Sequence, residues 1–199
     1  MSAARDETLA RVRNAVAGSA PAGAVARAYR REGSRSPAER LAVLADRLVD
    51  YRADVRRVRE DKIAGAASGR IGIPPGLPKA WRPAGAVEDH DLSPRELDAL
   101  DGVLTGCTVA IAETGTLVLA GGPAEGRRAL TLVPDLHVCV VRRSQVVETV
   151  PEAFAALRGL ERRPLTFVSG PSATSDIELK RVEGVHGPRN LVVCIVEEE

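Results

Sequence analysis

Apolar residues recur every three or four positions up to about residue 60 and then change to short continuous runs. In "RDETLARVRNAVA", Arg5 to Ala17, Leu9, Val12 and Val16 are spaced by three and four, which predicts a short helix. "GSAPAG" breaks it, and residues 18–35, rich in Gly, Ser, Ala and Arg, read as a connector. "SPAER" opens a second helix: Ser36 can cap, Pro37 suits the first turn, and Glu39 completes a capping box. Leu41, Leu44, Leu48, Tyr51, Val55 and Val58 continue the helical spacing, so this helix is expected to lay one face on the main core.

From Ile63 the pattern favours strands. "RIGIPPGLPKAW" reads as a short strand entering a proline-rich loop that ends at Trp81. Ser93, Pro94 and Glu96 repeat the helix-start logic. The apolar stretch Gly102 to Pro123 is rich in Val, Leu, Ile and Thr, with a turn expected near Glu113 to Gly115. "LTLVPDLHVCVV" predicts a buried strand interrupted by Pro134, "QVVETV" a short one, and "PEAFAALRGL" a helix beginning at Pro151. "PLTFVSG" and "NLVVCIVE" predict the last two strands. Alternating helices and β-branched runs predict an α/β domain with a mostly parallel sheet covered by helices on both faces. Its expected extent is residues 36–199, with residues 1–35 as an N-terminal helical appendage.

Composition narrows the function. The chain has 199 residues, enough for one domain with an appendage, and 44% are hydrophobic. Aromatics are only 3% and the net charge is +1, which argues against nucleic acid as a partner. The three cysteines, Cys107, Cys139 and Cys194, are far apart and lie among apolar neighbours. They read as buried thiols of a cytoplasmic protein, and a four-cysteine metal or iron–sulphur site cannot be built from them. No signal peptide is expected, and no apolar run of the length that spans a membrane occurs in the sequence.

Two loops have the composition of a site at the carboxyl ends of strands. The first is "AETGTLVL". Glu113 interrupts an apolar run and is followed by Thr114, Gly115 and Thr116. A carboxylate in such surroundings must be paired, hydrogen-bonded or shifted in pKa, which makes it a candidate acid or base. The second is "SGPSATSDIELKRVEGVHGP". Ser169, Gly170 and Pro171 allow a sharp bend, and Ser172, Ala173 and Thr174 lead to Asp176. The loop reads either as an anion cradle or as a capped turn. Asp176 and Glu178 could balance a helix dipole, hold a cation or exchange protons. His186, beside Gly187, titrates near neutrality and could act on a ligand or bond to its own turn. His137, at a strand start, could line the site or be a hydrogen-bonded core residue. Arg127 and Arg128 could bind an anion or form surface ion pairs.

The ordered motifs "TGCTVAIAETGTLVL", "GRRALTLVPDLHVCVV" and "SGPSATSDIELKRVEGVHGPRNLVVCIVEE" resemble the lactate-utilisation protein C family, small proteins built from the LUD domain. The resemblance covers roughly residues 70–196 and, more loosely, the Ser36 helix. It implies an α/β fold like that of NagB, RpiA and the CoA transferases. It also implies a place in an L-lactate to pyruvate oxidation system with two iron–sulphur partner proteins that carry the clusters, this chain binding no cofactor. A small carboxylate or phosphate is the ligand expected at Glu113–Thr116, His137, Ser169–Thr174, Asp176 and His186–Gly187, with Glu113 or His186 handling a proton. "AETGTL" is also similar to the Ser-Glu-Asn-Gly-x-Leu segment of some CoA transferases. Thr114 stands there for Asn and Ala112 for Ser, so an independent transferase or ligase using Glu113 is an alternative. A non-catalytic assembly subunit is another.

Overall fold

The computed structural model describes residues 3–18, 23, 27–170 and 187–197. Its centre is a pair of adjacent parallel strands, β7 (Leu136–Arg142) and β10 (Asn190–Val196). Both are nearly unbroken apolar runs, as expected of strands buried on two faces. The alternation is resolved in space. Val138, Val140, Val192, Cys194 and Val196 point into one core cluster, and Cys139, Val141, Leu191, Val193 and Ile195 into the other. The strands β1 (Asp54–Val58), β2 (Ile71–Ile73), β3 (Val87–Glu88) and β4 (Gly102–Gly106) extend the sheet in the order β1-β10-β7-β4-β2-β3. All neighbouring pairs in it are parallel. The α/β class with a mostly parallel sheet is therefore as the sequence predicts.

A second, four-stranded sheet lies beyond what the run lengths indicated. Its strands are β5 (Val109–Ile111), β6 (Thr116–Leu119), β8 (Val146–Val147) and β9 (Thr166–Val168), in the order β8-β5-β6-β9. β6 is antiparallel to both β5 and β9. Its inner residues Ala110, Ala112, Leu117 and Leu119 share a core with the parallel sheet and with helix α2 (Pro37–Asp50). Its outer residues Val109, Ile111 and Val118 pack on Ala153 and Leu157 of and beyond helix α4 (Val150–Ala156). Short 3-10 segments, Glu60–Gly65 and Lys79–Trp81, cover the far face of the parallel sheet.

The capping boxes form as expected. Ser36 caps α2, with Glu39 reaching back to its N–H, and Ser93 and Glu96 do the same for α3 (Pro94–Asp98). The helix expected to run from Ser36 through Val58 instead ends at Asp50. The Ala53 N–H closes on the Leu48 carbonyl at 3.0 Å, Arg52 adopts a φ of 65°, and Asp54–Val58 becomes the edge strand β1. Val55 and Val58 are three apart, so a strand sends them to opposite faces, and they pack on different core clusters. The N-terminal helix α1 (Ala3–Val16) forms where expected, and none of its residues is buried.

His137 lies near the start of β7, paired with Val103 on one side and Leu191 on the other. It is 1% exposed. Its Nε2 is 2.8 Å from Thr105 Oγ1, and that hydroxyl is 2.9 Å from the Gly106 carbonyl. The threonine can donate to the carbonyl and accept from the ring N–H, which satisfies both groups. Burial, with the Arg128 charge adding, pushes the imidazole down to about 4.

Two measurements check this packing. Leu48 is fully buried between α2 and both sheets, so Leu48→Ala is expected to cost about 2–5 kcal/mol in urea denaturation. The unfolded His137 takes up a proton near 6.5 and the folded one only near 4, so acidification through that window favours unfolding. The melting temperature should therefore fall between pH 6.5 and 4.5 by more in the native chain than in His137→Gln.

Candidate functional site

The turn Ala112–Gly115 joins β5 to β6, so Glu113 sits at the tip of an antiparallel hairpin. It does not follow a strand of the parallel sheet, where the rule for open α/β sheets would have placed it. The Gly115 N–H closes the turn on the Ala112 carbonyl. β8 runs alongside β5, and its continuation brings the Glu148 carbonyl to within 3.1 Å of the Glu113 N–H. Two glutamates are thus neighbours through backbone pairing, although 35 residues separate them in sequence.

On the other side, β6 pairs with β9, and the register Leu117 to Val168 brings Thr116 opposite Ser169. Three hydroxyls form a short chain: Thr114 Oγ1 donates to Thr116 Oγ1 at 2.8 Å, and Thr116 Oγ1 is 2.7 Å from Ser169 Oγ. Gly115 and Gly170 flank this chain with φ of 60° and 84°. A Cβ at either would come within 2.7 Å of Arg47 Cβ or 2.6 Å of Tyr51 Cβ, so the last turn of α2 presses on both bends.

The charges come from the segment before α2. Glu148 has a side chain 1% exposed, and Glu113 one 30% exposed. Arg30 pairs with Glu113 and, at 3.3 Å, with Glu148. Arg35 reaches Glu148 at 2.9 Å and Glu113 at 3.4 Å through the same terminal nitrogen, Nη1. The backbone joins in: the Arg35 N–H donates to Glu148 at 2.6 Å and the Gly33 N–H to Glu152 at 2.9 Å. Glu152 also receives the Glu148 and Thr149 N–H groups. The Arg35 N–H is the main cause that holds Glu148 below the usual carboxylate range, against its burial, and the Ser34 N–H and the two guanidinium charges add to it. Arg30 is raised above its ordinary value, chiefly by the hydrogen bond to Glu113.

Of the residues singled out from sequence, Glu113, Thr114, Gly115, Thr116, Ser169 and Gly170 converge. His137 belongs to the interior of the parallel sheet, and Gly187 precedes β10, one residue before the buried Pro188. Arg127 pairs with the buried Asp89 at 2.8 Å, a structural contact. Pro171, Ser172, Ala173, Thr174, Asp176, Glu178 and His186 lie outside the described residues. Sequence reasoning missed Arg30, Arg35, Glu148 and Glu152. A signal existed for two of them: Glu148 is an acid in the strand-like "QVVETV", and "TVPE" is a capping box in which Thr149 accepts from Glu152.

Known proteins agree with this architecture. The model of the LUD domain matches residues 47–196. Lactate utilization protein C from Deinococcus radiodurans is 45% identical over 204 aligned residues, 97% of this chain and 95% of that protein. Lactate utilization protein C from Halalkalibacterium halodurans is 33% identical over 56% of this chain and 52% of its own length. A DUF162 family protein from Deinococcus radiodurans, solved by crystallography, superposes with a TM-score of 0.72 at 42% identity, covering 82% of this chain and all of that one. The chain therefore belongs to the LUD domain family.

Proposed function

We propose that this protein acts in the cytoplasm in lactate utilisation, as a component of an L-lactate to pyruvate oxidation system that works with two iron–sulphur partner proteins. In this reading the clusters and the electron path belong to the partners. The kinship with NagB, RpiA and CoA transferases is part of the same reading. This chain contributes a site for a small anionic ligand, a carboxylate or a phosphate. The observation that carries it is the convergence of a half-buried carboxylate, Glu113, with the linked hydroxyls of Thr114, Thr116 and Ser169 at one end of the second sheet. Hydroxyls can donate to an anion, and an adjacent carboxylate can accept a proton from it. The names of the relatives give the physiological context.

A second reading, a non-catalytic assembly subunit, draws on a different surface. Phe154 and Phe167 are 54% and 47% exposed, and their ring centroids are 6.2 Å apart. The sequence contains only 2 Phe, so both are spent on the surface, where aromatic anchors serve protein partners.

Growth on L-lactate separates the two. In a strain lacking the gene, the native chain is expected to restore growth and Glu113→Gln to restore it at least about tenfold less well, the loss expected when a specific charged interaction is removed. Full restoration by Glu113→Gln and none by Phe154→Ser with Phe167→Ser would favour the assembly reading. Undiminished growth of the deletion strain would refute both.

A further inference from the structure

A cleft of about 280 Å³ opens at the carboxyl ends of the parallel strands, where open α/β sheets commonly take ligands, and it shares no residue with the Glu113 site. Three adjacent strands and α2 build it. Arg57 lies on β1, level with Ile195 of β10, while Glu197 and Arg143 come just past the ends of β10 and β7. Leu191, Val193 and Ile195 face the core shared with α2, so the alternation carries Glu197 to that same side. The Glu197 N–H donates to the Val58 carbonyl at 3.0 Å, which continues the ladder past the end of β10. Ala38 and Leu41, in the first turns of α2, close the cleft from above, and with Ile195 and Val196 they make its walls aliphatic.

Arg57, Arg143 and Glu197 all line this cleft and are exposed, yet their side chains make no hydrogen bond or ion pair among the described residues. Their neighbours in sequence are taken: Arg56 pairs with Asp54, Arg59 with Asp61 and Arg142 with Glu60. β1 and β7 flank β10, so Arg57 and Arg143 stand on either side of Glu197, about 10 Å apart across the sheet, which is two strand spacings. Both signs of charge thus border one small apolar cleft without neutralising each other. A simple anion would satisfy the arginines but face Glu197, and a simple cation would do the reverse. The lining holds no aromatic ring on which a base could stack. A small zwitterion with an aliphatic side chain gives every group a partner. We propose that this cleft binds a free aliphatic α-amino acid. Arg57 and Arg143 hold its carboxylate, Glu197 accepts from its ammonium group, and its side chain lies against Leu41 and Ile195.

Isothermal titration at pH 7 with the full chain tests this, using L-leucine, leucinamide (no carboxylate), isocaproate (no ammonium group) and glycine (no aliphatic side chain) as probes. L-leucine is expected to bind at least about tenfold more tightly than each of the other three, since each lacks one recognised group and a charge-assisted pair or a buried side chain is worth about that much. Arg57→Gln with Arg143→Gln should weaken L-leucine at least about tenfold. Glu197→Gln should weaken L-leucine by a similar factor and leave isocaproate unchanged or more tightly bound, a crossed pattern that general damage to the fold does not produce. All three side chains are exposed, so the variants are expected to melt with the native chain. Isocaproate binding the native chain as tightly as L-leucine would make the cleft a plain anion site and overturn the proposal. So would unchanged L-leucine affinity in the double arginine variant, or no binding of L-leucine to the native chain at millimolar concentration.

Discussion

A carboxylate with 1% of its side chain exposed is stable only if its neighbours supply charge and donors, and Glu148 sets that constraint here. Its compensation comes from residues more than 100 positions away: the Arg35 N–H, the Arg35 guanidinium and Arg30. The demand of one buried acid thus ties the segment before α2 to the second sheet. The same arginines then reach Glu113, which shares backbone hydrogen bonding with Glu148. Stability and site chemistry are coupled through this pair. Acidification weakens the tie: the folded Glu148 is depressed below its ordinary value, so its contribution is present at neutral pH and fades as pH falls through the depressed value.

The second sheet gives the site its shape. Strand pairing alone sets Thr116 against Ser169 and Glu113 beside Glu148. α2 and its C-cap press on the two glycine bends through Arg47 and Tyr51. The hydroxyl chain and the carboxylates therefore rest on elements that the shared core of Leu44, Leu48, Leu117 and Leu119 holds together. A site carried on such packed elements keeps its geometry better than one on a free loop.

Sequence and structure agree where a local rule governs. Ser36 with Glu39, and Ser93 with Glu96, are capping boxes because three-residue spacing is all that such a box needs. The parallel sheet is legible because β7 and β10 are buried on both faces and carry no polar side to interrupt the run. β1 was not legible, because Val55 and Val58, three apart, continue the helical period of α2 and break the alternation of a strand with one buried face. The strands of the second sheet were legible in the Gly102–Pro123 run, "QVVETV" and "PLTFVSG", but their pairing into a separate sheet was not, because β5, β8 and β9 are two or three residues long and meet across long stretches of sequence. At the site, Glu113 stood out as an acid in an apolar run, and Thr114, Thr116 and Ser169 as hydroxyls around glycines. Arg30 and Arg35 looked like ordinary connector arginines, since nothing periodic links them to acids that lie far along the chain.

The tie between the N-terminal segment and Glu148 is tested most directly by hydrogen exchange at the amides of Gly33 and Arg35. Both donate to carboxylates, Gly33 to the half-buried Glu152 and Arg35 to the enclosed Glu148, so both should exchange far more slowly than an unprotected amide. Glu148→Gln should speed exchange at Arg35 while the amides of β7 and β10 stay protected. Fast exchange at Arg35 in the native chain, or no change in Glu148→Gln, would contradict the central role given to this buried carboxylate.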